Sequence, residues 1–78
     1  MDFIDTVEII KAKYRDAGQE ELATEVNRCL MQGGTLGERF LIFADWLKEL
    51  RGTNFDKYKI AYEEGELIIE GAKKYFIN

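Results

Sequence analysis

Carboxylates are the side chains of this sequence that come closest to forming a site for chemistry. Acidic residues four positions apart share one face of a helix. Within single predicted helices the chain contains three such pairs, which are Glu21 with Glu25, Asp45 with Glu49, and Glu66 with Glu70. Helical bundles that bind metals through such pairs also use histidine ligands, and this sequence has no histidine. We therefore expect the pairs to lie mainly on solvated acidic faces, with no metal ligand and no cofactor.

Nucleophilic catalysis also lacks its usual residues. Without histidine, the chain has neither a Ser-His-Asp triad nor a Cys-His pair. Its single cysteine, Cys29, excludes an intrachain disulfide and a multi-cysteine zinc site. Cys29 lies on a predicted apolar stripe, where a thiol acts as a small hydrophobic group. We predict no catalytic residue and no enzymatic activity, and a small enzyme or carboxylate metal protein is the least favoured alternative.

Length and charge limit the classes of partner. The 78 residues make one domain, 1–78, with 11 basic and 15 acidic residues and a net charge of -4. An acidic chain without a basic face has no general electrostatic attraction to nucleic acid or to anionic membranes. No apolar stretch approaches the roughly 20 residues that span a bilayer, and the first residues are acidic, unlike a secretory signal. We expect a cytoplasmic protein that binds neither nucleic acid nor membrane.

Hydrophobic spacing predicts the elements that must position these side chains. Apolar residues recur at alternating intervals of three and four positions through four segments, which is the period of a helix with one buried face. The sequence therefore predicts an all-α fold, a compact antiparallel bundle of about four helices, with helix three central and the most buried. The predicted ranges are 2–17, 19–32, 36–51 and 55–76.

Glycines and capping sequences set the predicted helix ends. Gly18 is expected to end the first helix in the left-handed conformation, and Gly52 to end the third. Thr35 and Glu38 match a capping box, in which the Glu38 side chain reaches back to the backbone N–H of Thr35. The glycines around this box lack the Gly-Lys-Ser/Thr ending of a phosphate-binding loop, so helix capping is the favoured interpretation.

The last segment contains two glycines that a helix does not favour. It opens with Thr53 or Asn54 as the N-cap, and its apolar period continues through Gly65 and Gly71. We favour one continuous helix, and the alternative is a break at Gly65 followed by a short strand over 66–70. Because Gly65 lies on the apolar stripe, we expect another helix to approach closely there, whereas Gly71 has no evident role.

The same segment carries the strongest candidate for a binding surface. The predicted partner-binding residues are Tyr62, Glu63, Glu66 and Glu70. Tyrosine provides a large contact area at a small entropic cost, and carboxylates attract and pair with basic side chains. This surface suits a basic protein partner. The alternative interpretation is that the tyrosines fill the core with their hydroxyls at its rim while the glutamates only contact water.

Several apolar residues fall outside the main stripes or at their edges. The candidates for self-association are Ile4, Ile9, Leu41 and Trp46, and Leu67 also lies off its stripe. Small helical domains often gain missing burial by pairing. A homodimer, acting as a structural or regulatory subunit, is therefore the alternative to a module that binds a different protein.

Three segments carry a resemblance to a known class of protein. They are AGQEELA at 17–23, GGTLGE at 33–38, and the predicted helix from Phe40 to Leu50. Together they resemble small bacterial all-helical proteins of the polymorphic-toxin immunity type. The resemblance implies tight binding to a cognate toxin, with occlusion of the toxin's active site. It supplies no residues that can be transferred to this chain.

Overall fold

A computed structural model describes residues 3–77, and within them the side chains of residues 3–74. The helices are α1 (Phe3–Asp16), α2 (Glu20–Gln32), α3 (Leu36–Thr53), α4 (Phe55–Tyr58) and α5 (Tyr62–Ile77), and the 3-10 turn Lys59–Ala61 joins the last two. Residues 3–77 contain no strand. The predicted all-α bundle is confirmed, and the four predicted segments are found within a few residues of their expected ends. The fourth is not the one continuous helix that the sequence favours, because the 3-10 turn separates α4 from α5.

Helices α1, α2, α3 and α5 pack as a ring, in which each contacts the two beside it, and α4 adds a further contact to α3. Helix α1 packs against α2 and α5, and α3 packs against α2, α4 and α5. Helices α3 and α5 are antiparallel, because Arg51 near the end of α3 contacts Glu66 near the start of α5. At the opposite end, Phe40 near the start of α3 lies against Gly71 in the second half of α5. This arrangement places α5 over the seam between α1 and α3.

The core receives side chains from all five helices and from the 3-10 turn Lys59–Ala61. Its largest fully buried side chains are Tyr14, Tyr58, Phe43, Ile10, Leu47, Ile69, Val7 and Val26. Helix α3 packs between α2 and α5, as its predicted central place requires. It is not the most buried helix, since only Phe43, Ala44 and Leu47 are buried along it and Leu36 is 56% exposed. The apolar residues of α3 cover a larger part of the helix circumference than the part that faces the core.

The end of α1 agrees with the sequence. Gly18 has φ 76° and is the glycine that adopts the left-handed conformation. The backbone N–H of Gln19 donates to the carbonyl of Tyr14 at 2.7 Å, and that of Gly18 donates to the carbonyl of Arg15 at 3.0 Å. These two hydrogen bonds form a Schellman motif, which satisfies carbonyls that the helix leaves unpaired.

The end of α3 differs from the prediction. The helix continues through Gly52 to Thr53, so Gly52 does not end it. The backbone N–H of Asn54 donates to the carbonyl of Leu50 at 2.8 Å, and the Asn54 side chain accepts from the backbone N–H of Lys57 at 3.3 Å. Asn54 therefore ends α3 and begins α4. Its side chain caps the first turn of α4 and so fixes the boundary, whereas Gly52 tolerates helical geometry and does not interrupt α3.

The capping box at the start of α3 is only partly as predicted. The backbone N–H of Glu38 donates to the hydroxyl of Thr35 at 3.1 Å, as expected. The Glu38 carboxylate accepts from the same hydroxyl at 3.1 Å, and does not reach back to the Thr35 backbone. A hydroxyl can donate and accept at once, so the two side chains satisfy each other locally.

Close approaches explain both glycines of α5. The helix runs through Gly65, so the alternative of a break followed by a strand is wrong. A Cβ atom on Gly65 would lie 3.0 Å from the ring of Tyr58, which precedes it in the same segment. The interhelical approach occurs instead at Gly71, where a Cβ atom would lie 3.0 Å from the Phe40 ring. Each glycine makes room for an aromatic ring.

Alanine substitutions at Gly18 and Gly52 should have opposite effects on stability. At neither position would the added Cβ atom come within 4 Å of an atom beyond the adjacent residues and the backbone of its own helix. The two substitutions therefore differ only in the backbone conformation at the substituted residue. We expect Gly18→Ala to lower the free energy of unfolding by about 1–2 kcal/mol, because a side chain strains a left-handed residue. Gly52→Ala should raise it by about 0.5–1 kcal/mol, because alanine favours the helix. Urea unfolding measures both, and changes of the same sign would contradict the assignment.

Candidate functional site

The solvent-facing side of α5 contains most of the predicted partner-binding residues. Tyr62, Glu63 and Glu70 are exposed, whereas Glu66 is half-buried. Leu67 follows Glu63 by one helical turn and precedes Glu70 by almost one turn, and it is 61% exposed. Tyr62, Glu63, Leu67 and Glu70 are called the α5 surface below. The structure therefore brings three of the four predicted residues into one exposed group.

Glu66 is instead occupied inside the protein. Its carboxylate accepts a hydrogen bond from the hydroxyl of Tyr58 and lies 2.9 Å from the guanidinium of Arg51. The Tyr58 hydrogen bond and then Arg51 lower the pKa of Glu66. Burial and the Glu66 carboxylate raise the pKa of Tyr58. The group fastens the start of α5 to the end of α3, and Tyr58 itself fills the core with its hydroxyl at the rim, as the alternative interpretation expected.

Four glutamates, Glu63, Glu64, Glu66 and Glu70, form an acidic cluster within eight residues of α5. Glu64, like Glu66, points inward. Glu64 pairs with Lys13 of α1 at 2.6 Å, and its side chain is only 13% exposed. Glu70 forms an exposed contact with Lys73 at 3.4 Å. The structure shows no ion pair or hydrogen bond for the Glu63 side chain among the described residues. The cluster is therefore divided: Glu64 and Glu66 hold α5 against its neighbours, and Glu63 and Glu70 face solvent.

An aromatic group borders the α5 surface. The ring of Phe55 lies 5.9 Å from that of Tyr58 and 6.4 Å from that of Tyr62, and the two tyrosine rings are 6.0 Å apart. Phe55 is 50% exposed and Tyr62 is 48% exposed, while Tyr58 is buried beneath them. The sequence interpretation missed Phe55, although its spacing to the two tyrosines, three and seven positions, is a helical signal.

A shallow apolar groove opens beside α5, and no sequence pattern predicted it. It consists of two adjoining depressions of about 300 and 290 Å³ that share Phe3 and Phe40. The first also includes Leu36 and Gly37 of α3, and the second adds Thr6 of α1 with Leu67, Ile68 and Gly71 of α5. We refer to the two depressions together as the Phe40 groove. Leu67 belongs to both this groove and the α5 surface.

The predicted self-association residues do not form one patch. Ile4 is exposed, whereas Ile9, Leu41 and Trp46 are half-buried. Residues five positions apart on a helix are separated by about 140° around its axis, which applies to Ile4 and Ile9 and also to Leu41 and Trp46. Trp46 stacks on Phe43 with ring centroids 5.9 Å apart. Leu41 and Trp46 pack against the core of the bundle.

Among the described residues, the cysteine is buried and no group of metal ligands occurs. Between residues 3 and 77, no three His, Cys, Asp or Glu residues are grouped where they could hold a metal ion. Cys29 is buried, and burial followed by the Glu25 carboxylate raises the pKa of its thiol. A raised pKa disfavours the nucleophilic thiolate. No described helix is long and apolar enough to cross a membrane.

Two buried tyrosines provide a test of the hydrogen bond to Glu66. Both are fully buried, but the Tyr14 hydroxyl has no hydrogen-bond partner among the described residues, and burial raises its pKa to about 12. We expect Tyr58→Phe to lower the free energy of unfolding by about 2 kcal/mol, since it removes a hydrogen bond to a charged group. Tyr14→Phe should leave it unchanged or raise it by about 1 kcal/mol. In urea unfolding, a larger loss for Tyr14→Phe would contradict this.

Acid should weaken the fold partly through Glu66. Because its pKa is lower in the folded chain, the charged carboxylate stabilises the fold at neutral pH, and this contribution is lost as the pH falls below about 4. We expect the free energy of unfolding of Glu66→Gln to fall less between pH of about 7 and 3 than that of the original chain. Glu49→Gln, at an exposed position, should keep the original pH dependence. If the free energy of unfolding fell by the same amount with pH in all three proteins, Glu66 would not have this stabilising role.

Comparison with known proteins does not assign the chain to a family. No protein family, curated protein or solved structure matches it. Its function must therefore be inferred from its own surface, of which the α5 surface and the Phe40 groove are the most distinctive parts.

Proposed function

We propose that this chain is a non-enzymatic interaction module that binds a basic protein partner through the α5 surface. The observation that carries the proposal is the exposure of Tyr62 and Leu67 beside the solvent-facing carboxylates of Glu63 and Glu70. Tyrosine is enriched among the anchor residues of protein interfaces, and an exposed leucine beside it adds apolar contact area. Charges around them speed encounter with a partner of opposite charge and exclude partners of like charge.

The contacts beneath the surface favour this role. The Lys13–Glu64 pair holds α5 to α1, and the Arg51–Glu66 pair holds it to α3. A surface that is fixed before binding loses less conformational freedom when the partner arrives. Glu66 remains part of the proposed surface at its edge, but its first role is to position α5, because its carboxylate is already paired.

The chemistry of the surface suits an immunity-type inhibitor in the bacterial cytoplasm. In this proposal, the partner is a basic toxin whose active site is occluded by the α5 surface. The acidic surface supports the proposal because it complements a basic enzyme surface. The single buried, free thiol of Cys29 fits a reducing compartment. The proposed partner is a protein, and the proposal involves neither nucleic acid nor membrane.

Self-association is the second candidate function. The observation that favours it is the open Phe40 groove, whose Leu36 and Leu67 side chains remain more than half exposed. Exposed apolar patches often mark interfaces, and a homodimer would cover this one. The like charges of Glu63 and Glu70 beside Leu67 oppose this arrangement, so we place it after binding to a basic partner.

Charge reversal on the α5 surface should slow association with the partner. The test pair is Glu63→Lys with Glu70→Lys. The control pair is Glu21→Lys with Glu49→Lys, which changes the net charge equally at exposed positions on α2 and α3. The partner is captured on the immobilised chain, purified, and used to measure association rates by surface plasmon resonance.

We expect the test pair to reduce the association rate about tenfold in about 0.01 M salt, where the Debye length is about 30 Å. The reduction should be smaller in about 0.15 M salt, and the control pair should have a weaker effect in both. Equal rates for the two double variants would show that the α5 surface is not the binding face. An immunity role further requires that the purified partner arrest growth when expressed alone and that this chain relieve the arrest.

A further inference from the structure

The Phe40 groove is suited to apolar side chains rather than to a polar ligand. Among the residues that the structure describes, none that lines the two depressions is charged, and Thr6 is the one with a polar side chain. Each depression lies at the lower end of the range of ligand pockets, about 300 Å³. A small molecule would find almost no group to orient it, whereas one or two aliphatic side chains would fill each depression.

The packing of α5 keeps the groove open. Phe40 reaches across to Gly71, where the absence of a side chain lets the ring lie directly against the helix backbone. The Phe3 ring meets Phe40 edge-on at 5.0 Å, and both rings line both depressions. Leu36 lines the first depression and Leu67 the second, and each is more than half exposed. The two depressions are thus adjacent, with an aliphatic side chain bordering each.

Negative charge lies on the α5 side of the groove. The exposed carboxylates of Glu63 and Glu70 flank Leu67, which lines the second depression. The other exposed charged residues next to the lining residues are mixed in sign, namely Asp5, Glu38, Arg39, Lys73 and Lys74. Because Glu70 has only its exposed contact with Lys73 and the chain has a net charge of -4, a basic occupant is favoured over an acidic one.

We propose that the Phe40 groove and the α5 surface together bind an amphipathic helix of a basic protein. The apolar face of that helix would fill the two depressions on either side of Phe40, and lysine or arginine residues beside it would contact Glu63 and Glu70. A helix presents apolar side chains three or four positions apart on one face, with charged residues at its edges. This inference rests on the proposed function and specifies the element of the partner that is recognised.

A second copy of this chain is a poorer occupant. Two-fold interfaces bring the same surface patch of both subunits together. A two-fold axis near Leu67 would therefore place Glu63 and Glu70 of one copy close to the same residues of the other. Like charges facing each other oppose association, and each copy has a net charge of -4. Charge therefore distinguishes between the two occupants of an otherwise apolar site.

The test uses two synthetic peptides of about 18 residues, which is long enough for a helix to form. Both carry leucine at the same helical spacing, and the other positions are lysine in one peptide and glutamate in the other. Each is titrated into the ¹⁵N-labelled full chain and followed by NMR. We expect the lysine peptide to bind at least about tenfold more tightly and to shift the amide signals of Phe3, Leu36, Phe40 and Leu67.

Matched variants separate the groove from general charge attraction. Leu67→Ser should weaken binding of the lysine peptide about tenfold, because one aliphatic contact is lost. Met31→Ser is the control, since Met31 is 83% exposed at the end of α2, and it should leave binding unchanged. If Leu67→Ser binds as tightly as the original chain, or the shifts are confined to the carboxylate residues, the groove is not the site. The proposed charge-driven function would still stand on the association rates of the purified partner.

Oligomeric state provides the remaining test. We expect the original chain to sediment as a monomer at high micromolar concentration, leaving the groove open to the peptide. A dimer that Leu67→Ser dissociates and Met31→Ser preserves would assign the groove to a second copy and overturn the proposal. Contacts detected by NMR between the groove and the chain's own first or last residues, with no effect of either peptide, would also overturn it.

Discussion

The carboxylate of Glu66 fixes the position of α5, on which the exposed surface of that helix depends. Tyr58 brings a phenol ring into the core, and its hydroxyl requires a partner because an unpaired buried hydroxyl costs roughly 1–3 kcal/mol. Glu66 provides the acceptor, and Arg51 of α3 balances the charge of that acceptor. The ring fits because Gly65 has no side chain to obstruct it. One carboxylate thereby joins the core, α3 and α5.

The division of the acidic cluster follows from the same packing. Glu64 is largely buried against Lys13, so this ion pair contributes to holding α1 and α5 together. The contact between Glu70 and Lys73 is exposed on both sides, and such surface pairs contribute only about 0–1 kcal/mol. Glu70 can therefore exchange its lysine for a partner's cation at little cost. The four glutamates thus have two different roles. Two of them contact neighbouring helices, and the other two are exposed to solvent.

The sequence predicted the helices because their signals are local. The apolar period and the glycine at position 18 each act within a few residues, and the structure confirms both. The role of Glu66 could not be predicted in this way. In the sequence, Glu66 and Glu70 form an equivalent pair, and only the packing of α3 against α5 brings Arg51, fifteen positions earlier, to one of them. The Phe40 groove was hidden for the same reason, since its walls come from three helices.

Leu67 connects the two kinds of surface that a partner would meet. On one side it adjoins Glu63 and Glu70, which attract basic side chains over a distance, and on the other it forms a wall of the Phe40 groove. Charge acts mainly on the rate of encounter, whereas apolar contact acts mainly on the rate of dissociation. A partner that contacted only the charged residues would dissociate quickly, and a partner that contacted only the groove would associate slowly. Because one helix carries both features in fixed register, the proposed partner segment, basic and apolar at matching positions, would be selected over either kind alone.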